Sequence, residues 1–324
     1  LLDDEMLQFI KKAKDGLFQF EIGVQSTNEM TLNAIGRTTN FKKLKSVTEE
    51  IRDFRNIHQH LDLIAGLPYE DYNSFKKSFN DVYEIKPEKI QLGFLKLLKG
   101  SELRNKKDEY GFKFLDMPPY EVLETDYIKY NEMLKLKGIE DLVGRYYNEG
   151  YFENTLEYII TNHYNTAFDF FEDYLKFWEK KKYHTVSHNR NRLYEILMEF
   201  YNFKGFSDLK LLNEIIKYDY LYNNRNTNIP EGIKRVAISL IQKNKHEILK
   251  NQELLNDCLA HYKDIPTKQI INKVHIEEFE FDVIKLFKND YVLNDEMIKN
   301  TTILFEYKDT VINRCITYDI TKYI

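Results

Sequence analysis

The first third of the chain alternates between segments of helical period and segments of period two. Apolar residues at helical spacing predict helices over about 2–13, 28–36, 40–55 and 71–84. Strands are predicted between them, over about 17–26, 61–65 and 90–98. This order implies parallel strands joined by right-handed crossovers. About three strands are too few to close a (β/α)8 barrel of roughly 250 residues, so the pattern predicts a partial barrel.

Beyond Pro118-Pro119 the pattern changes to long, aromatic-rich helical stretches. They run over about 119–136, 151–162, 166–182, 190–203, 208–222 and 231–250. Period two returns after Pro266, at 274–283, 303–305 and 311–318, which predicts a small antiparallel sheet near 268–320. We therefore predict two domains. Residues 1–117 are expected to form an α/β partial barrel, and residues 118–324 a mostly helical α+β domain.

Alternation also divides each predicted strand into two faces. In the first strand the apolar set should pack against helices, and the other set should face the barrel lumen: Gln19, Glu21, Gly23 and Gln25. Asp62 lies on the corresponding face of the second strand. Barrel interiors are normally apolar, so aligned polar rows predict an enclosed polar ligand. For Asp62 alone, a structural contact to Arg37 or to a backbone amide is the alternative.

Composition and charge exclude several classes of protein. The 47 basic and 52 acidic residues give a net charge of −5 without a long single-sign block, which argues against a nucleic-acid surface. No apolar run approaches the ~20 residues that span a bilayer. Cys258 and Cys315 are far apart, which excludes a disulfide framework and indicates a reducing cytoplasm. The start, Leu1-Leu2-Asp3, is no signal peptide and lacks Met, so we expect a chain cut from something longer.

Other conspicuous residues have simple structural explanations. His58 and His60 are expected to be exposed loop histidines before the second strand. The aromatic residues of 168–178 are expected to form a helix-packing core. Glu277, Glu278 and Glu280 are expected on the solvated side of a strand.

Several segments keep the order and spacing of consecutive motifs of a known family. They are Gly23-Val24-Gln25-Ser26-Thr27-Asn28, Thr31-Leu32-x-x-Ile35-Gly36-Arg37, Leu61-Asp62-Leu63-Ile64-Ala65-Gly66-Leu67-Pro68 and the strand and loop from Leu92 to Ser101. Over about 100 residues the chain resembles radical S-adenosylmethionine enzymes. The resemblance is closest to the cobalamin-binding branch and to the anaerobic coproporphyrinogen oxidase-like branch. From Tyr120-Glu121-Val122 onward, the chain resembles an uncharacterised domain that follows the barrel in cobalamin-type members.

The resemblance implies a cofactor chemistry for the intact protein. In that family three cysteines, Cys-x-x-x-Cys-x-x-Cys, hold a 4Fe-4S cluster, which cleaves S-adenosylmethionine to a 5′-deoxyadenosyl radical. This motif and the Gly-Gly-Glu-type strand are absent from the chain, so we expect the cluster-bearing half upstream of Leu1. The intact protein would be an iron–sulfur oxidoreductase or methyltransferase-like enzyme that uses S-adenosylmethionine, the cluster and, in the cobalamin branch, cobalamin. The fragment alone is expected to bind no cofactor and to be inactive.

The resemblance also implies roles for individual residues. Gln25 would contact the ribose or the methionine portion of S-adenosylmethionine, with Ser26 beside it at the strand end. Arg37 would offer its guanidinium to the methionine carboxylate. Asp62 would accept hydrogen bonds from cofactor hydroxyls or from a neighbouring donor. Simpler roles remain open for two of them: Arg37 as a helix C-terminal charge, and Ser26 as a helix cap.

Three further positions complete the predicted site. Ala65 and Gly66 would let the adenine approach the backbone, for which small residues are needed. Glu21 lies deeper in the lumen and is the candidate to face the substrate. No catalytic residue and no metal ligand are expected within the chain.

Two functions from different classes stay open at this point. The first is a fragment of a radical S-adenosylmethionine enzyme with an unknown substrate. The second is a substrate- or partner-binding helical module on a non-catalytic barrel scaffold. A half-barrel would expose a strand edge, which folded proteins avoid. We therefore expect either self-association through this edge or its coverage by the C-terminal domain. The expected partner is the missing N-terminal half, and neither nucleic acid nor membrane is indicated.

Overall fold

A computed structural model describes residues 2–225, 229–235, 240–308 and 315–324, and of residues 240–243 it describes the backbone only. Helices α1 to α14 span Asp4–Lys11, Glu29–Ala34, Phe41–Phe54, Tyr72–Tyr83, Glu102–Asn105, Tyr130–Leu142, Glu153–His163, Ala167–Lys181, Arg190–Lys204, Leu209–Asn223, Leu240–Ile248, Gln252–Cys258, Thr267–Ile270 and Val283–Lys288. Strands β1 to β8 span Phe18–Gln25, Ile57–Ala65, Lys89–Phe94, Lys113–Phe114, Val122–Glu124, Val274–Phe279, Thr301–Tyr307 and Cys315–Asp319. A π-helical turn, Val143–Asn148, continues α6.

The chain forms two compact units. The N-terminal unit contains Leu1–Gly150 and Asn165–His184, and the C-terminal unit contains Tyr151–Tyr164 and Thr185–Ile324. The neighbouring helices α7 and α8 therefore belong to different units. The border between these two units does not coincide with the domain boundary predicted at 117/118. That domain boundary stays a prediction.

The N-terminal unit is built on a three-stranded parallel sheet. Its strand order is β1-β2-β3, with α2 and α3 between the first pair and α4 between the second. The side chains of Asn28, Asn40 and Asp71 accept hydrogen bonds at the starts of α2, α3 and α4. Parallel strands with crossover helices are confirmed, and the assignment of this sheet to a partial barrel stays a prediction.

The apolar face of this sheet is buried against helices. Its buried apolar residues are Val24, Ile57, Leu61, Leu63, Ala65, Ile90 and Leu92, and α3 and α4 pack against β2. On α4, the Phe79 ring makes edge contacts with Phe168 and Phe171 of α8, with ring centroids 5.4 and 5.9 Å apart. The predicted aromatic core over 168–178 is confirmed, because its aromatic side chains are buried.

The two edges of the sheet differ. At the outer edge of β3, the side-chain amide of Asn148 accepts from the Ile90 amide at 2.9 Å and donates to the Ile90 carbonyl at 3.0 Å. This amide takes the place of a neighbouring strand at that residue. Within the described ranges, β1 pairs with a strand on its β2 side only.

Some predicted elements differ from the structure. The helix predicted over 119–136 is wrong at its start, because Val122–Glu124 pairs with Lys113–Phe114 and α6 begins at Tyr130. The strand predicted over 274–283 ends at Phe279, because Asp282 caps α14. The helix predicted over 231–250 is observed for 240–248, and 236–239 lie outside the described residues. The strand predicted over 311–318 is observed from Cys315, and 311–314 also lie outside them.

The C-terminal unit contains the predicted small sheet, which is antiparallel with order β6-β7-β8. Within this unit α10 carries a buried ion pair. The Lys217 Nζ atom is 2.9 Å from Glu214 Oε1, and the two side chains are 0% and 3% exposed. Lys217 also donates to the Glu278 carbonyl and lies over the Phe279 ring, and Glu214 accepts from the Glu280 amide. The pair is therefore hydrogen-bonded on both sides.

The prediction of a solvated acidic row on β6 is wrong for Glu277. Its side chain is buried and accepts from Arg235 Nε at 3.0 Å and from Arg235 Nη2 at 2.5 Å. His275 Nε2 lies 2.8 Å from the same carboxylate. Burial raises the pKa of Glu277, but the hydrogen bonds from His275 and Arg235 outweigh it and lower the pKa overall. No helix in the described part of the chain is both long and apolar enough to cross a membrane.

Candidate functional site

The open face of the parallel sheet carries a polar surface. Its residues alternate with those of the helix-packed face and are Gln19, Glu21, Gly23, His58, His60, Asp62, Lys89, Gln91 and Gly93. Two rows cross the strands in register, one of Glu21, His60 and Lys89, and one of Gly23, Asp62 and Gln91. We call this surface the polar face. The alternation predicted from the sequence therefore places Glu21 and Asp62 on one side of the sheet.

At the end of β1, two predicted residues converge on Gly23. Gln25 has a left-handed backbone, with φ of 69°, where the register of β1 against β2 shifts. A Cβ atom on Gly23 would lie 2.4 Å from Gln25 Nε2 and 3.5 Å from Arg37 Nη1. Arg37 Nη1 donates to the Gly23 carbonyl at 2.8 Å. Because glycine has no Cβ atom, the Gln25 amide and the Arg37 guanidinium can both lie next to Gly23.

Asp62 is the partner of Gly23 on the neighbouring strand. Its Oδ1 atom is buried and has no hydrogen-bond partner among the described residues. Burial raises the pKa of Asp62, and the negative charge of Glu21 raises it further. A buried carboxylate oxygen without a donor is costly. A hydroxyl group placed beside this oxygen would satisfy it.

The sequence did not predict that His60 belongs to the polar face. His58 and His60 lie within β2, and the His60 side chain is buried, so the prediction of exposed loop histidines is wrong. Gln19 Nε2 lies 3.4 Å from His60 Nδ1 and donates at the same distance to Glu21. Burial lowers the pKa of His60, and the charge of Lys89 lowers it further. The sequence could have indicated this position, because His60 lies two residues before Asp62 and side chains two residues apart on a strand share a face.

Three predicted residues do not reach the polar face. Ser26 is buried, and its hydroxyl donates to Glu70 at 2.5 Å. Ala65 is fully buried on the opposite, helix-packed face. Gly66 has φ of 90°, and the position of its missing Cβ lies 3.2 to 3.7 Å from side-chain atoms of Met133, Val122 and Leu95. Its conformation explains the glycine without a ligand.

The cysteines do not fit a 4Fe-4S cluster. Cys258 and Cys315 both belong to the C-terminal unit, and burial raises the pKa of each thiol, that of Cys315 to about 12. Cluster ligation needs thiolates, and two cysteines fall short of the motif. In the described ranges, no three His, Cys, Asp or Glu side chains come together as a metal site.

The N-terminal unit is thus an α/β unit with a polar candidate ligand surface, and known proteins match parts of the chain. The family model described as "Protein of unknown function (DUF4080)" matches residues 108–305, which is more than half of the chain. The chain therefore belongs to this family. The match agrees with the uncharacterised domain expected after the barrel, and it begins about ten residues before the predicted boundary.

Curated relatives match a smaller share of the chain. It is 26% identical over 80 residues to "Coproporphyrinogen III oxidase, anaerobic 1" of Cereibacter sphaeroides, which is 25% of the chain and 18% of the relative. It is 28% identical over 91 residues to a probable threonylcarbamoyladenosine tRNA methylthiotransferase of Pyrococcus abyssi, 28% of the chain and 21% of the relative. The chain thus spans about a fifth of the length of these relatives. The first match agrees with the coproporphyrinogen oxidase-like resemblance, and the cobalamin-binding branch stays a prediction.

Proposed function

We propose that the N-terminal unit is the C-terminal part of a radical S-adenosylmethionine (β/α) barrel and that its polar face is one wall of the S-adenosylmethionine pocket. The observation that carries the proposal is the convergence of Gln25 and Arg37 on Gly23, beside a carboxylate with an unpartnered buried oxygen. These are polar groups that no apolar core requires. The similarity to an anaerobic coproporphyrinogen oxidase supports the same class.

The groups at the polar face suit the parts of S-adenosylmethionine. A guanidinium has five N–H donors, and the hydrogen bond to Gly23 uses only one of those of Arg37. The others can bind the methionine carboxylate as a fork. Asp62 Oδ1 would accept from the ribose hydroxyls, and the Gln25 amide can donate and accept beside them. Glu21 and His60 lie farther from the strand ends, where a substrate would contact them.

The remainder of the barrel would join at β1. This strand has no strand partner on its outer side among the described residues, and Met6, Phe9 and Leu17, which precede it, are each at least half exposed. An open edge next to exposed apolar side chains favours another strand as neighbour. In the intact protein the preceding part would supply the cluster, whose electron cleaves S-adenosylmethionine. The residues described above would bind and orient this cofactor.

The first prediction tests cofactor binding in the protein encoded by the complete gene. After anaerobic reconstitution with iron and sulfide, S-adenosylmethionine and dithionite should yield 5′-deoxyadenosine. Gln25→Ala and Asp62→Ala should each weaken S-adenosylmethionine binding in calorimetry by about tenfold, the value of one hydrogen bond to a charged or polar partner. Lys42→Ala, on the exposed surface of α3 and outside the polar face, should bind as the wild type does. Unchanged affinity in both variants would refute the assignment of the wall, and a complete protein without the cysteine motif would favour the binding-module alternative.

A second prediction concerns the space beside Gly23, which a Cβ atom would fill. Gly23→Ala would place a Cβ atom where Gln25 Nε2 lies, and the flexible amide can move away at little cost in stability. We expect cofactor binding to weaken as much as in Gln25→Ala, and the double variant to be no weaker than either single one. Gly144→Ala is the control, because Gly144 is not part of the polar face and a Cβ atom there would meet nothing within 4 Å. Additive losses in the double variant would contradict the placement of the amide.

A further inference from the structure

A buried carboxyl group lies behind the strand ends. Glu70 follows the loop after β2 and is 1% exposed. Its Oε1 atom accepts hydrogen bonds from Ser26 Oγ at 2.5 Å and from Ser78 Oγ at 3.0 Å. Its Oε2 atom is buried without a hydrogen-bond partner in the part of the chain that the structure describes. Glu70 takes no part in the backbone hydrogen bonds of a helix or a sheet. Its structural role therefore lies in the side chains that it binds, Ser26 and Ser78.

The group holds the loop that directly follows Gln25. The Asn28 amide donates to Ser26 Oγ at 2.9 Å, and the Thr27 amide donates to Ser78 Oγ at 3.0 Å. The Thr27 hydroxyl donates to Asp81. Residues 26–28 are thus tied, through two hydroxyls, to one carboxyl oxygen. We call this arrangement the Glu70 cluster.

We infer that Glu70 is a positioning residue that fixes the loop after β1, and with it Gln25, as long as its carboxyl group is neutral. Loss of the proton would place an uncompensated negative charge in the cluster and loosen residues 26–28. The consequence for cofactor binding rests on the proposed function, whereas the consequence for the loop does not. The loop should respond to the charge of Glu70 without a bound ligand.

The charges around the cluster support this behaviour. Burial raises the pKa of Glu70 to about 7, against the hydrogen bonds from Ser26 and Ser78, and the charge of Asp71 raises it further. On α4, Asp81 is shared between Thr27 and Lys77. Among the described residues no Lys, Arg or His side chain forms an ion pair with Glu70, so only the hydrogen bonds from Ser26 and Ser78 oppose the cost of its ionisation.

The sign of the pH dependence follows from these values. An unfolded Glu has a pKa near 4.5, so the folded cluster favours the neutral acid. The contribution of Glu70 to the stability of the closed loop is complete below about pH 4.5 and is lost as the pH rises through about 7. Between pH 6 and 8, the opening equilibrium of the loop should therefore increase about tenfold.

The third prediction tests this opening with Glu70→Gln, which is neutral and keeps the accepting oxygen. Hydrogen exchange of the Thr27 and Asn28 amides in the present chain, corrected for intrinsic rates, reports the opening. The wild type should lose about tenfold protection between pH 6 and 8, and Glu70→Gln less than twofold. Glu29→Gln, exposed at the start of α2, should keep the wild-type profile. Equal profiles in wild type and Glu70→Gln would overturn the inference.

A second variant keeps the test decisive if Glu70→Gln does not fold. Ser78→Ala removes one of the two donors that lower the pKa of Glu70, so the midpoint of the pH profile should move upward. The profile is read at the Asn28 amide, because the variant also removes the acceptor of the Thr27 amide. An unmoved midpoint counts against the inference. Because neither measurement uses S-adenosylmethionine, failure of the cofactor experiment would leave the result on the loop intact. In the complete protein, cofactor affinity should fall from pH 6 to 8 in the wild type and stay level in Glu70→Gln.

Discussion

Replacing Lys217 by Ala should lower the free energy of unfolding of the C-terminal unit by about 3–5 kcal/mol, because it leaves the Glu214 carboxylate buried without its cation. The two side chains are almost fully buried, and Lys217 also donates to the Glu278 carbonyl. Burial already raises the pKa of Glu214, so the variant should lose less stability at low pH. Urea unfolding followed by circular dichroism measures the change.

Two variants make this fourth prediction specific. Lys210→Ala removes an exposed lysine from the same helix and should change stability by no more than about 0.5 kcal/mol. The double variant Glu214→Gln with Lys217→Met removes both charges and keeps an oxygen for the Glu280 amide. It should recover most of the loss. A loss below about 1 kcal/mol in Lys217→Ala would show that the pair does not support the unit.

The fifth prediction concerns the aromatic contact between α4 and α8. Phe79→Ala should cost about 3–5 kcal/mol, because it opens a cavity under a fully buried ring that contacts Phe168 and Phe171. Phe79→Leu should cost less, since it refills part of the volume. Phe9→Ala, whose ring is 70% exposed, is the matched control and should be close to neutral. Thermal unfolding of the N-terminal unit at fixed pH provides the comparison, and equal melting temperatures for Phe79→Ala and Phe9→Ala would contradict the packing.

The sequence predicted the parallel sheet well, because burial of one strand face imposes a period of two that the helices between the strands do not share. It placed the start of β2 four residues late. The segment Ile57 to His60 alternates between buried apolar or amide side chains and histidines, and such a polar run resembles a loop. His60 was lost from the site for the same reason. Strands of two or three residues, such as β4 and β5, carry no periodic signal.

The partners of buried charges could not be read from sequence spacing. Glu277 looked solvated among its acidic neighbours, and only the fold brings Arg235 to it from a distant position. Glu70 is likewise a single acidic residue in a loop until the chain returns Ser26 and Ser78 to it. Long-range pairing of this kind depends on packing, whereas local periodicity does not.

The side-chain amide that Asn148 presents to Ile90 occupies one backbone pairing position at the outer edge of β3. A sheet that can gain strands at both sides serves as a template for fibres. In this sheet the Ile90 position of β3 is occupied, whereas β1 has no strand partner on its outer side among the described residues, so β1 is the edge more open to an added strand. Two copies that paired through β1 would cover this edge in each other and favour a closed pair. A preceding strand of the same polypeptide would cover the same edge.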